Sequence, residues 1–237
     1  MGTKILAHRG ASAYYPENTM EAFEAAVQQG ADGFELDVHL SKDGHVVVFH
    51  DASLERVSNG KGLVVEYTLS ELKQLEVSGC RIPTLSEVYE LAAAKGMFVN
   101  VELKTAQPLY PEMPEKLLQL EAEHKMEEQV LYSSFNHYVL KELQALKPSV
   151  KTGLLYDCGL VDPWVYAKYV KADAIHPYHY IIEALPETVA NCHKAGIMVN
   201  SWTVDEPQIM QQHFKLGVDM LITNKPDVAV KEKGREI

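Results

Sequence analysis

Eight short apolar runs punctuate this chain, each followed by room for one helix. They are Lys4–His8, Gly33–Val38, Phe98–Leu103, Val130–Ser134, Lys151–Tyr156, Ala174–His176, Ile197–Trp202 and Met220–Thr223. Many are rich in Val, Ile, Leu or aromatics. A strand that is apolar throughout must be buried on both faces, as in a parallel sheet covered by helices. Amphipathic segments fill the gaps: Thr19–Gln29, Leu85–Lys95, Pro114–Glu127, His137–Lys147, Pro163–Tyr169, Pro186–Ala195 and Pro207–Leu216. Several open on a capping signal (Asn18 before Glu21, Ser86 before Tyr89) or a proline. Several end near glycine, at Gly30, Gly96, Gly196 and Gly217. The alternation predicts an α/β chain folded as a TIM (β/α)8 barrel, and 237 residues suit one such unit. An open doubly wound sheet is the competitor, disfavoured because no Gly-rich phosphate loop follows the first strand.

The second run continues past the length a barrel strand needs. Val38-His39-Leu40 leads through Lys42-Asp43-Gly44, a turn signal, into Val46-Val47-Val48-Phe49-His50. A hairpin with a ninth, antiparallel strand is expected. A turn over Ser41 to Gly44 would set Leu40 opposite His45 and Glu35 opposite His50. That pairing returns His50 to the face of Glu35 and Asp37, and a slip of one residue would reverse it. His39 and His45, flanking the turn, are expected to face solvent. Asp51 to Pro83, with Gly60, Gly62 and Gly79, reads as an excursion above the barrel mouth, suited to a lid or substrate contact. The expected organisation is a single TIM-barrel domain over 1–237 with a small inserted region at about 51–83.

Chemistry-bearing residues gather at the ends of these strands. Glu35 and Asp37 are two apart and so point the same way, and Glu102 and Lys104 repeat that spacing. One such acid alone reads as a salt-bridge partner or a capping residue. Three in apolar strands are costly unless they hold a cation, and an all-oxygen set suits Mg2+ or Ca2+. His8 and His50 each end a predicted strand beside this cluster. Singly each reads as a structural histidine; together they fit an acid–base pair. Arg9 and Lys104 add positive charge, and a guanidinium can grip two phosphoryl oxygens. Three carboxylates, one divalent ion, Arg9 and Lys104 sum to +1, which matches one phosphodiester anion. Trp202 offers an apolar wall to a small alcohol, or packs as a strand-end aromatic.

A net charge of −11 argues against sequence-independent binding to nucleic acid or to an anionic membrane. Cys80, Cys158 and Cys192 give neither a disulfide framework nor a zinc site. No signal-peptide pattern and no apolar run of roughly 18–20 residues is present, so a cytoplasmic protein without stable membrane anchoring is expected.

Taken in order, His8-Arg9-Gly10, Pro16-Glu17-Asn18-Thr19, Glu35-x-Asp37, His50-Asp51, Glu102-Leu103-Lys104 and Asn200-x-Trp202-Thr203 resemble the glycerophosphodiester phosphodiesterases, from residue 5 to about 227. Each motif is weak alone; their joint order and spacing are specific. The resemblance implies a TIM barrel related to the phosphatidylinositol-specific phospholipases C, with a small insertion after the His50 strand. It implies metal-dependent hydrolysis of a glycerophosphodiester to an alcohol and sn-glycerol 3-phosphate. Matched position by position, it implies Glu35, Asp37 and Glu102 as metal ligands, His8 and His50 as the acid–base pair, and Arg9 and Lys104 as phosphate-contacting cations. Glu17 and Asn18 match the motif of the first loop, where Asn18 doubles as a helix N-cap. Two stretches depart from the family pattern. Thr223-Asn224-Lys225-Pro226 stands where Thr-Asp-x-Pro is frequent, and Val57-Ser58 follows Arg56 where threonines are frequent. Two other readings stay open: a phospholipase C- or D-like enzyme acting on intact lipid, and a non-catalytic phosphate-binding barrel, which the presence of both histidines disfavours.

Overall fold

The apolar runs become strands because helices bury their outer face and a packed interior buries the other. The computed structural model describes residues 2–105 and 109–234. Its strands are β1 (Lys4–His8), β2 (Gly33–Leu40), β3 (Val46–Val48), β4 (Glu76–Val77), β5 (Cys80–Arg81), β6 (Phe98–Leu103), β7 (Val130–Ser134), β8 (Thr152–Tyr156), β9 (Ala174–Pro177), β10 (Met198–Ser201) and β11 (Met220–Thr223). Its helices are α1 (Met20–Gln28), α2 (Leu69–Leu72), α3 (Leu85–Lys95), α4 (Met113–Glu123), α5 (His137–Leu146), α6 (Pro163–Val170), α7 (His179–Ala184), α8 (Glu187–Lys194), α9 (Pro207–Leu216) and α10 (Pro226–Lys233). β1 pairs in parallel with both β2 and β11, so the parallel strands close on themselves as a TIM barrel, with β3 added antiparallel to β2. The expected domain also includes residues 1, 106–108 and 235–237, which lie outside the described residues.

Leu36, Val38, Val99 and Val101 face outward into a core shared with Phe23, Leu85, Val88 and Tyr89. Inside, Leu6, Met220 and Ile222 plug the barrel, with Phe98 and Trp202 against them. The excursion has an apolar cluster of its own, made by Phe49, Leu54, Val64, Leu72, Val77 and Ile82 with Val47. That cluster seats it on the hairpin beside the mouth. No helix among the described residues is long and apolar enough to cross a membrane.

Three local expectations change. The caps of α1 and α3 are Thr19 and Thr84, one and two residues from the expected Asn18 and Ser86; Glu87 completes a capping box at Thr84. Helices α7 and α10, absent from the sequence reading, begin right after barrel strands. The hairpin register differs by one residue: Leu40 faces Val46 and Val38 faces Val48. The cause is a three-residue loop. Gly44 takes φ +79°, Ser41 N–H donates to the His45 carbonyl, and His45 N–H donates to Ser41 Oγ. A straight continuation would then carry His50 to the outer face. Instead the last ladder hydrogen bond runs from Phe49 N–H to the Asp37 carbonyl, and the chain bends at His50.

His39 accounts for that bend. It is 1 % exposed rather than solvent-facing, with Nε2 donating to the His50 carbonyl at 3.1 Å and Nδ1 accepting from Tyr110 Oη at 3.0 Å. A carbonyl turned out of the ladder thus keeps a partner.

A buried histidine far from the mouth gives a pH prediction. His213 on α9 is fully buried, its Nδ1 bonded to Ser201 Oγ at 2.8 Å. Burial, the dominant cause, lowers its pKa to about 4. As pH falls, the unfolded chain binds this proton first. The stabilisation is complete above about pH 6.5 and is lost progressively toward pH 4, up to about 3 kcal/mol. His213→Asn should therefore narrow its stability gap to wild type over that window, as read by urea unfolding at pH 7.5, 6, 5 and 4. A gap independent of pH would refute the assignment.

Candidate active site

Strand register assembles the acids. His8 lies beside Glu35, Glu35 beside Asn100, Asp37 beside Glu102, and Glu102 beside Ser133. Because the inward positions of neighbouring strands fall at matching levels, Glu35, Asp37 and Glu102 offer carboxylate oxygens all within 4.8 Å of one another, and all three residues are buried. Lys104 Nζ sits 2.6 Å from Glu102 Oε1 and 3.1 Å from Asp37 Oδ1. Arg9 Nε lies 3.3 Å from Asp37 Oδ2, and Arg9 Nη1 lies 3.0 Å from Glu17 Oε1. The Arg9 backbone N–H donates to Glu35 Oε2. Asn18 does not cap α1: at φ +57° it turns inward and donates from Nδ2 to Asp37 Oδ2 at 2.9 Å.

Gly10 explains the glycine after His8-Arg9. Its φ is +82°, and a Cβ there would sit 2.6 Å from the Ala22 backbone carbon. Gly10→Ala should destabilise by about 3 kcal/mol or more, checked by urea unfolding, because strain and a backbone clash coincide.

The electrostatics divide the three acids. Burial raises Glu35 well above the usual carboxylate range, and like charge from Asp37 and Glu102 adds to it. Burial would also raise Asp37, but Lys104 and Arg9 overcome it and hold that group ionised. Glu102 rises to about 7, burial outweighing Lys104. Three crowded oxygen donors cut off from solvent suit a hard divalent cation, whose charge would relieve this repulsion.

The two histidines have different partners. His8 Nδ1 bonds Asn224 Oδ1 at 2.7 Å, while Asn224 Nδ2 donates to Asp205 Oδ2 at 2.6 Å. Asp205 can only accept, so it orients the amide. The amide oxygen in turn requires the proton on His8 Nδ1, leaving the Nε2 lone pair toward Glu35, 3.7 Å away. Burial first, then Arg9, lowers His8 to about 4, so this ring is neutral. His50 Nδ1 instead bonds a carboxylate, Asp51 Oδ1, at 2.5 Å. Asp51 Oδ2 accepts from Arg56 Nε, and Arg56 also grips Glu17. The excursion is thereby tied to the first loop. Burial lowers His50 below its ordinary value, while Asp37 and Asp51 oppose that.

A cavity of about 350 Å3 opens on the His50 side, lined by Asp51, Lys104, Thr105, Phe135 and Asn136. Trp202 walls a smaller cavity beside His8, Glu35 and Glu102, and its ring meets Phe135 edge-on at 5.6 Å. His8, Glu35, His50, Glu102, Lys104 and Trp202 thus line the two cavities, and Arg9 and Asp37 join them through ion pairs. The sequence reading missed His39, Asp205 and Asn100, and it noted Asn224 and Arg56 only as residues in the two departing stretches. The hairpin pattern could have flagged His39; Asp205, 19 residues from Asn224, has no local signal.

Known proteins bear on this arrangement. The model of the glycerophosphoryl diester phosphodiesterase family matches residues 8–228. A glycerophosphodiester phosphodiesterase of Caldanaerobacter subterraneus is 45% identical over 238 residues, covering 97% of each chain. Among solved structures, an Oleispira antarctica phosphodiesterase in complex with the product sn-glycerol-3-phosphate aligns with TM-score 0.90 at 29% identity, covering 98% of this chain and 96% of that one. A glycerophosphodiester phosphodiesterase of Thermotoga maritima aligns with TM-score 0.83 at 32% identity, covering 98% of each.

Proposed function

Because the chain belongs to the glycerophosphoryl diester phosphodiesterase family, we propose that it hydrolyses glycerophosphodiesters to an alcohol and sn-glycerol 3-phosphate, using a divalent cation and the histidines His8 and His50. The observation that carries the reading is the buried Glu35–Asp37–Glu102 triad with a histidine on each side and two cations against it. The barrel and its excursion over residues 51–83 act as one catalytic unit.

Glu35, Asp37 and Glu102 would hold the ion, Mg2+ or Ca2+, which supplies Lewis-acid neutralisation of the phosphoryl oxygens. Arg9 and Lys104 share that neutralisation, Arg9 by a bidentate grip. The partner of each histidine assigns its task. His8, anchored to a neutral amide, presents an unprotonated Nε2 lone pair and takes the proton from the nucleophile. His50 is assigned the proton transfer to the leaving alkoxide because the Asp51 carboxylate opposes the lowering that burial imposes on it. The nucleophile is water, or the glycerol 2-hydroxyl in a first step that forms a cyclic phosphate. The glycerol side faces Trp202, and the headgroup lies in the larger cavity beside His50. The expected site of action is the cytoplasm.

The test is a panel of glycerophosphodiesters and intact phospholipids assayed with Mg2+, Ca2+ and Mn2+, with both products identified. Release of sn-glycerol 3-phosphate from glycerophosphocholine supports the reading. Turnover of intact phospholipid alone would replace it with a phospholipase, and no turnover of any diester would leave a binding barrel.

A further inference from the structure

One polar atom beneath the triad has no partner. Asn100 is 1 % exposed on β6, two residues below Glu102 and level with Glu35 across β2. Its Nδ2 donates to Ser133 Oγ at 3.1 Å, yet its Oδ1 is buried without a hydrogen bond. A buried carbonyl oxygen left unpaired costs about 1–3 kcal/mol, so a persistent one marks a missing donor. Asn100 also lines the small cavity walled by His8, Glu35, Glu102, Leu155, Trp202 and Ile222. Its volume, about 10 Å3, is room for one water. Leu155, Trp202 and Ile222 present apolar surface there, so the polar contacts come from Asn100, the two carboxylates and His8.

We propose that Asn100 serves the cation site from below, its Oδ1 anchoring a buried water that completes the oxygen set of Glu35, Asp37 and Glu102. The role rests on the cation site proposed above. Such a water donates one hydrogen to Asn100 Oδ1 and one to a carboxylate, which leaves its lone pairs for the cation. Asn100 is thus a positioning residue, acting on the ion through this water. Outer partners of this kind typically set metal affinity by about 10–100-fold.

The test is calorimetric titration of Mn2+ into wild type, Asn100→Leu and Asn100→Asp, with the metal-free melting temperature of each. Asn100→Leu fills the cavity and removes the orphan acceptor. It should bind Mn2+ about 10–100-fold more weakly, and its metal-free melting transition shows that the variant folds. Asn100→Asp keeps an acceptor at the same place and should bind at least as tightly as wild type. Unchanged affinity in Asn100→Leu would overturn the role of Asn100 alone. Should that variant fail to fold, weaker binding by Asn100→Asp would overturn it instead. A wild type that binds no Mn2+ would overturn the cation site together with this role.

Discussion

His8→Ala and His50→Ala should each lower kcat/KM for glycerophosphocholine by about 1,000-fold, within the range that positioned acid–base groups supply. The two losses should separate when the leaving group changes. Choline leaves as a poor alkoxide and needs a proton. A nitrophenyl ester leaves as a stable phenolate and does not. His50→Ala should therefore recover most of its loss on the nitrophenyl ester, whereas His8→Ala, lacking the base, should not. The assignment follows from the partners, a neutral amide at His8 and a carboxylate at His50. Recovery by His8→Ala instead would exchange the two roles. Equal losses on both esters would remove the division altogether.

Stripping the divalent cation should abolish turnover to a similar degree, about 1,000-fold or more, since several kcal/mol of transition-state charge stabilisation go with it. Without the ion the site carries three acids against Arg9 and Lys104. Lys104 contacts both Asp37 and Glu102. Adding back Mg2+, Ca2+ and Mn2+ in turn to EDTA-treated protein identifies the working ion by the rate restored. The same titration should raise thermal stability. An ion at 100 times its dissociation constant adds about 2.7 kcal/mol to the folded state. Glu102→Gln should weaken both effects together. Full activity after chelation would refute the cation site.

Much of this was legible along the chain. Continuous apolar runs separated by amphipathic segments specify buried parallel strands, and eight of them leave little choice but a closed barrel. The pairing of Glu35 with Asp37, and of Glu102 with Lys104, was readable because a strand's period of two is local geometry. Asn18 was misread because a residue that looks like a cap one position early takes a left-handed backbone and turns into the site. The hairpin register was misread because Gly44 allows a three-residue loop, which sequence alone does not distinguish from a two-residue turn with longer flanks.

The sequence by itself determined which chemical groups the mouth holds: three acids, two histidines and two cations at strand ends. The tertiary structure alone decided how those groups are poised. His8 meets Asn224 across 216 residues, and Glu17 meets Arg56 across 39. His50 reaches the site only because His39 and Tyr110 hold a bend. The tautomer of His8 follows from its distant partner Asn224, whereas the partner of His50 is the adjacent Asp51. Local propensity can place a side chain at the end of a strand. Which hydrogen-bond partner waits there depends on barrel closure, which brings the first and last strands side by side.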